Sequence, residues 1–97
     1  MKTATDLKVH VLLRFSKKTG KIDTTMTGLG HAMMEMWALN NTTKTKCTFI
    51  VERDTGNVVF AAQGTGDFPK VKKDVGNIEN FGIPLSAIQE ITDDRFD

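Results

Sequence analysis

Two serines (Ser16, Ser86), two histidines (His10, His31), one cysteine (Cys47) and no tyrosine make a sparse stock of nucleophiles and bases. A nucleophile needs an adjacent base, and the base in turn needs an orienting group. No local spacing joins these roles, so no catalytic residue is assigned; a triad of Ser16, His10 and Asp23 would have to be assembled by folding. Cys47 alternates with Phe49 and Val51, which predicts a buried, inert thiol. His31 and Glu35 stand four apart, on one face of any helix that contains them. They supply two ligands where a stable metal site takes three or four, and the spacing equally suits an exposed helix pair. Neither a metal site nor a cofactor is predicted.

Anion binding has more material. Arg14, Lys17, Lys18 and Lys21 surround one turn, Lys44 and Lys46 follow, and Lys70, Lys72 and Lys73 form a third group. Phosphate contact uses clusters of this kind, and a β-ribbon can enter a groove. Gly28-Leu29-Gly30 lies between a strand and a helix, where backbone amides can face an anion. It lacks the third glycine of a dinucleotide fingerprint and the lysine of a P-loop. The candidate anion or nucleic-acid contacts are therefore Arg14, Lys17, Lys18, Lys21, Gly28 and Gly30. Against them stands the inward direction of Phe15, Phe49 and Phe60, which leaves no stacking platform and favours simple solvated turns.

Four segments alternate with the period of half-buried strands: 8–16, 21–27, 45–52 and 57–63. Val9, Val11, Leu13 and Phe15 share a face in the first, as do Ile22, Thr24 and Met26 in the second. Cys47, Phe49 and Val51 do so in the third, and Val58, Phe60 and Ala62 in the fourth. Lys17-Lys18-Thr19-Gly20 and Arg53-Asp54-Thr55-Gly56 join them in pairs. A short loop ending in glycine suits a type I turn closed by a bulge, so both pairs read as hairpins. A shift of 36 residues lays 9–30 on 45–66 with Thr19, Gly20, Gly28 and Gly30 matched, as an internal duplication or two similar Thr-Gly hairpins would produce.

Between the hairpins the spacing predicts a helix over 29–40, with Leu29, Ala32, Met33, Met36 and Leu39 as its buried stripe, widened by Met34 and Trp37. Thr27 or Gly28 would cap its start, and Asn40 to Thr43 would stop it. The run from Met33 to Trp37 suits either a core or an adaptable partner surface. A second helix fits 86–95, with Ser86 and Gln89 as a capping box and Ile88 and Ile91 on its buried side. Residues 67–83 read as a short helix or as irregular chain. The expectation is an α+β domain over 1–97, with 1–7 flexible: two hairpins in an antiparallel four-stranded sheet, helices on one face, in a ββα-ββα-like order.

Such a sheet leaves its second face in water. That face would carry Leu12, Ile50, Val59 and Ala61, an apolar patch that makes them candidates for a homodimer interface. The competing cover is the chain's own 67–97, which offers Ile78, Phe81, Ile83 and Leu85.

Composition sets the outer bounds. With 97 residues and 39% apolar content, one core can form without disulfide or metal staples. An unpaired cysteine and the lack of a secretory leader or a long apolar run predict a cytoplasmic protein off the membrane. Net charge is +1, but residues 1–73 hold 12 basic and 6 acidic side chains whereas 74–97 hold one and 6. The leading expectation is a non-enzymatic interaction module that self-associates through its sheet face, with another protein as a further possible partner. Next comes a nucleic-acid-binding or regulatory protein using the basic first hairpin, and third a small enzyme.

Overall fold

The computed structural model describes residues 9–64 and 69–89. Both hairpins form. The strands β1 (His10–Ser16) and β2 (Ile22–Thr27) make the first, and β3 (Lys46–Glu52) and β4 (Asn57–Gly64) the second. Gly20 and Gly56 close the turns with φ of 71° and 79°, a region that costs a side-chain-bearing residue energy. Their amides bond back to Ser16 O at 2.7 Å and Glu52 O at 2.8 Å. α1 (His31–Asn41) lies between the hairpins and ends at Thr42, close to the expected stop.

The sheet has five strands, not four, in the order β2-β1-β3-β4-β5, all antiparallel. The fifth, β5 (Pro69–Asn77), occupies the stretch read as helix or irregular chain. It pairs with β4 from Asn57↔Asn77 to Gly64↔Pro69. Its apolar alternation is weak because it is an edge strand, exposed along most of its length. Lys70, Lys72 and Lys73, with Asp74 at φ 52°, are the devices that keep such an edge from recruiting another chain. The other edge, β2, carries a register irregularity where Arg14 opposes Thr24 and Phe15 opposes Ile22, leaving Asp23 extra.

The sheet is covered on both faces, which corrects the one-sided arrangement. α1 packs over Leu12, Ile50, Phe60 and Ala62 with Met34 and Ala38. The opposite face holds Val11, Leu13, Cys47, Phe49, Val51, Val58 and Ala61. There the chain from the 3-10 turn Ile78–Phe81 to α2 (Ser86–Gln89) lays down Ile78, Ile83 and Ile88. Phe49 touches Phe15 and Phe81 at ring-centroid distances of 5.2 and 4.7 Å. The face shared by Val11, Leu13, Phe15, Ile22, Cys47, Phe49, Val51 and Val58 is the one read from alternation.

The alternation of β2 and β4 does not hold throughout: past the extra Asp23, Met26 packs on the α1 face and not on the face of Ile22. Ile50 opposes Phe60 but Val51 opposes Val58, so Val59 is an extra residue in a bulge. Val58 therefore faces the C-terminal cover, while Phe60 and Ala62 face α1. Gly64 is needed for space: a β-carbon there would lie 1.9 Å from the Thr43 carbonyl oxygen.

The cap assignments also change. Gly30, not Thr27 or Gly28, is the N-cap of α1, and Thr27 Oγ1 donates to His10 O at 3.1 Å. Gln89 Nε2 donates to the Asp54 carbonyl at 3.3 Å instead of reaching back to Ser86. The reading of 1–7 as flexible, and of the second helix beyond Gln89 to 95, falls outside the described residues.

Candidate functional site

One end of the sheet gathers the basic side chains. The register sets Phe15 against Cys47, Cys47 against Gln63 and Gln63 against Lys70, with Ser16 against Lys46 one step further out. The β1–β2 turn with Lys17, Lys18 and Lys21, the β3 approach with Lys44 and Lys46, and the start of β5 at Lys70 thus share one end. Asp23 is the carboxylate they surround among the described residues, and it pairs with Lys46 Nζ and, at 3.3 Å, with Arg14 Nε. The Lys46 hydrogen bond, against a smaller opposing effect of burial and with help from Arg14, holds the Asp23 carboxyl below its ordinary range.

Arg14 is held on three sides. Besides Asp23, its Nη1 donates to Asn41 O at 3.2 Å, and its guanidinium carbon stands 5.8 Å from the Trp37 ring centroid. A cation on the last carbonyl of α1 complements the helix dipole, in a helix with no basic residue in its own last turn. Lys17 Nζ donates to Gly64 O at 2.8 Å, tying the first turn to the end of β4. The turn itself is ordered by Ser16 Oγ, which accepts from the amides of Lys18 and Thr19 at 3.2 and 3.3 Å.

The fold separates the two halves of the anion candidate. Arg14, Lys17, Lys18 and Lys21 lie at this end, while Gly28 and Gly30 lie at the other, where Thr27 pairs with Val11 and α1 begins. Helix and turn are both anchored to the sheet, but α1 points its start away from the lysines. Lys44, Lys46 and Lys70 take the place of the glycines. Their sequence distance from the first turn hid this, although each was visible as part of a basic group.

The dimer candidates have a different fate. Leu12, Ile50 and Ala61 are buried within the chain and Val59 is half-buried beside α1. Leu12 and Ile50 sit beneath α1, and Ala61 belongs to the opposite core because of the Val59 bulge. The apolar patch that motivated a sheet-to-sheet dimer is thus covered by the chain itself.

Another apolar surface replaces it. In α1 the buried residues are Met34 and Ala38, with Trp37 half-buried, so of the expected stripe Ala32, Met33, Met36 and Leu39 face outward while Leu29 packs against the core. Met33 is 62% exposed, Met36 63% and Leu39 43%. Ala32 is exposed beside them.

The remaining chemistry-bearing groups are dispersed. Ser16 and His10 occupy opposite ends of β1, and His31 packs edge-on against His10 with ring centroids 4.4 Å apart. Among the described residues no three of His, Cys, Asp and Glu converge on a point that would hold a metal ion. A depression of about 240 Å³ at the β4–β5 irregularity is lined by Asn57, Val58, Asp74 and Gly76. No helix of the described chain is long and apolar enough to cross a membrane. Protein families, curated proteins and solved structures offer no match to this chain.

Proposed function

We propose that the chain is a small interaction module that pairs with a second copy of itself through the outer face of α1. The observation that carries this reading is the outward stripe of Met33, Met36 and Leu39 on one 11-residue helix. Large apolar side chains grouped within a polar surround mark contact surfaces more often than isolated ones do. Methionine suits such a surface, because its unbranched thioether adapts to the shape opposite.

The choice of a second copy rests on charge. α1 contains Glu35 as its one carboxylate and has no lysine or arginine. Its outer face therefore selects neither a basic nor an acidic partner, and it meets itself around a two-fold axis with little like-charge cost. The stripe is small beside the roughly 800 Å² per partner of a standard interface, so the dimer is weak and concentration-dependent.

Sedimentation velocity over a wide concentration range tests the reading. The wild-type chain is expected to pass from monomer to dimer. Met33→Glu with Met36→Glu is expected to stay monomeric at an unchanged melting temperature, because both side chains stand outside the core. A wild-type chain that stays monomeric at the highest concentration overturns the proposal, as does a dimer that survives the double substitution.

A further inference from the structure

We infer that the basic end of the sheet is a binding site for the phosphate backbone of a double-stranded nucleic acid. It shares no residue with the outer face of α1 and stands or falls separately. Lys18, Lys21, Lys44 and Lys70 are exposed there, and Lys17 lies beside them with its ammonium bonded to Gly64 O. Arg14 and Lys46 lie behind them in partnership with Asp23. The end crosses the sheet from β2 to β5, four strand spacings of about 4.8 Å, or roughly 19 Å. Each strand of a duplex carries one phosphate per about 3.4 Å of axis, so this width covers five or six base-pair steps, with the phosphates on their facing side within reach of the lysines.

The long-range field points the same way. Glu52, Asp54 and Glu79 lie toward the opposite end of the sheet, where Val9 O meets Arg53 N and Gly56 O meets Ile78 N. With a net charge of only +1, attraction to a polyanion comes from this separation of charge and presents the lysine end first. The first turn is preorganised by Ser16 Oγ and by the Lys17 bond to Gly64 O, so presenting its lysines costs little ordering.

A duplex fits better than a single strand. Sequence-tolerant binding of single strands relies on aromatic rings that stack on bases. Among the described residues at this end, Phe15 is half-buried in the core and Arg14 lies over the ring of Trp37. What the described residues offer is charge, and a duplex presents one phosphate charge per about 1.7 Å of axis. Lys72 and Lys73 are left out of the site because they oppose Ala61 and Phe60, further along β5 from this end than Lys70.

Fluorescence anisotropy with a labelled duplex of about 20 base pairs, titrated from about 25 to 200 mM salt, tests this. Micromolar, sequence-independent binding is expected, with a log–log salt slope of about −3 to −4. Lys18→Gln with Lys44→Gln and Lys70→Gln should weaken binding at least tenfold and flatten the slope by about one per lysine. Gly30→Asp with Asn80→Asp and Ser86→Asp changes net charge equally at the far end and should leave affinity within about twofold if the site is local. Asp23→Asn should tighten binding, since it releases Arg14 and Lys46 toward phosphate. Circular dichroism and melting establish that every variant is folded. The inference is overturned by any one of three results: no duplex binding at the lowest salt, equal losses in the two triple variants, or binding of single strands or anionic vesicles without binding of duplex.

Discussion

Cys47 illustrates how much a single position's surroundings decide. It lies in the core facing the C-terminal cover, and burial pushes its thiol up to about 11 from an ordinary 9.0, with the Lys17 charge pulling weakly the other way. Between those two pH values only the unfolded chain ionises the thiol, so the unfolded state binds fewer protons and stability falls as pH rises. Below that window the thiol is neutral in both states and contributes no pH dependence. Melting temperature should therefore drop more steeply from pH 9 to 11 in the wild-type chain than in Cys47→Ala. Equal slopes would remove the thiol as the cause. Position 47 was legible as buried from its alternation with Phe49; that it is reached by the field of Lys17 was not, because 30 residues separate them.

At the scale of elements, α1 is held more by packing than by its ends. Gly30 provides no side-chain bond to the helix amides, and the first turn has no acidic residue. Its backbone has φ −68° and ψ 157°, which any residue adopts, and a β-carbon there would meet nothing within 4 Å. Gly30→Ser should consequently stabilise the protein by about 0.5–1 kcal/mol, through a new cap bond and a less flexible unfolded chain. Thermal or urea denaturation measures this, and a loss of stability would mean that the α1 N-terminus is built differently. The helix was evident from sequence because its apolar residues are too many for a loop. Its inward face was not evident, since Met33, Met36 and Leu39 mark one side as clearly as Met34, Trp37 and Ala38 mark another. The choice belongs to the sheet: the surface offered by Leu12, Ile50 and Phe60 receives Met34 and Ala38.

Across the whole molecule the C-terminal stretch has an importance that its regular structure understates. α2 is described over the four residues Ser86–Gln89, and among them Ile88 is fully buried with Ile78 against Phe49, Val51 and Val58. Were this stretch a loose appendage, truncating Ile88 would cost nothing. As the second layer of the core it should cost about 2–5 kcal/mol in Ile88→Ala, measured by denaturant unfolding. A change below about 0.5 kcal/mol would show that the face is not sealed by this segment. The same layer explains why the sheet face carrying Phe49 needs no partner, and why α1 on the other face is where an apolar surface remains.

The sequence by itself determined the hairpins, their turns and the presence of a helix between them. These depend on neighbours: period-2 alternation, a glycine at the position of positive φ, a run of helix-spaced apolar residues. Pairing between distant segments decided the rest. β5 lacks an apolar pattern because an edge strand is specified by the strand it joins, and the Val59 bulge inverts β4 at a point where neither neighbour signals it. The basic end exists only once register sets Lys46 beside Ser16 and Lys70 level with Phe15, across gaps of 30 to 55 residues in the chain. Local chemistry writes the elements; which faces and ends come together is set by the free energy of closing long loops onto complementary surfaces, and that is a property of the folded chain alone.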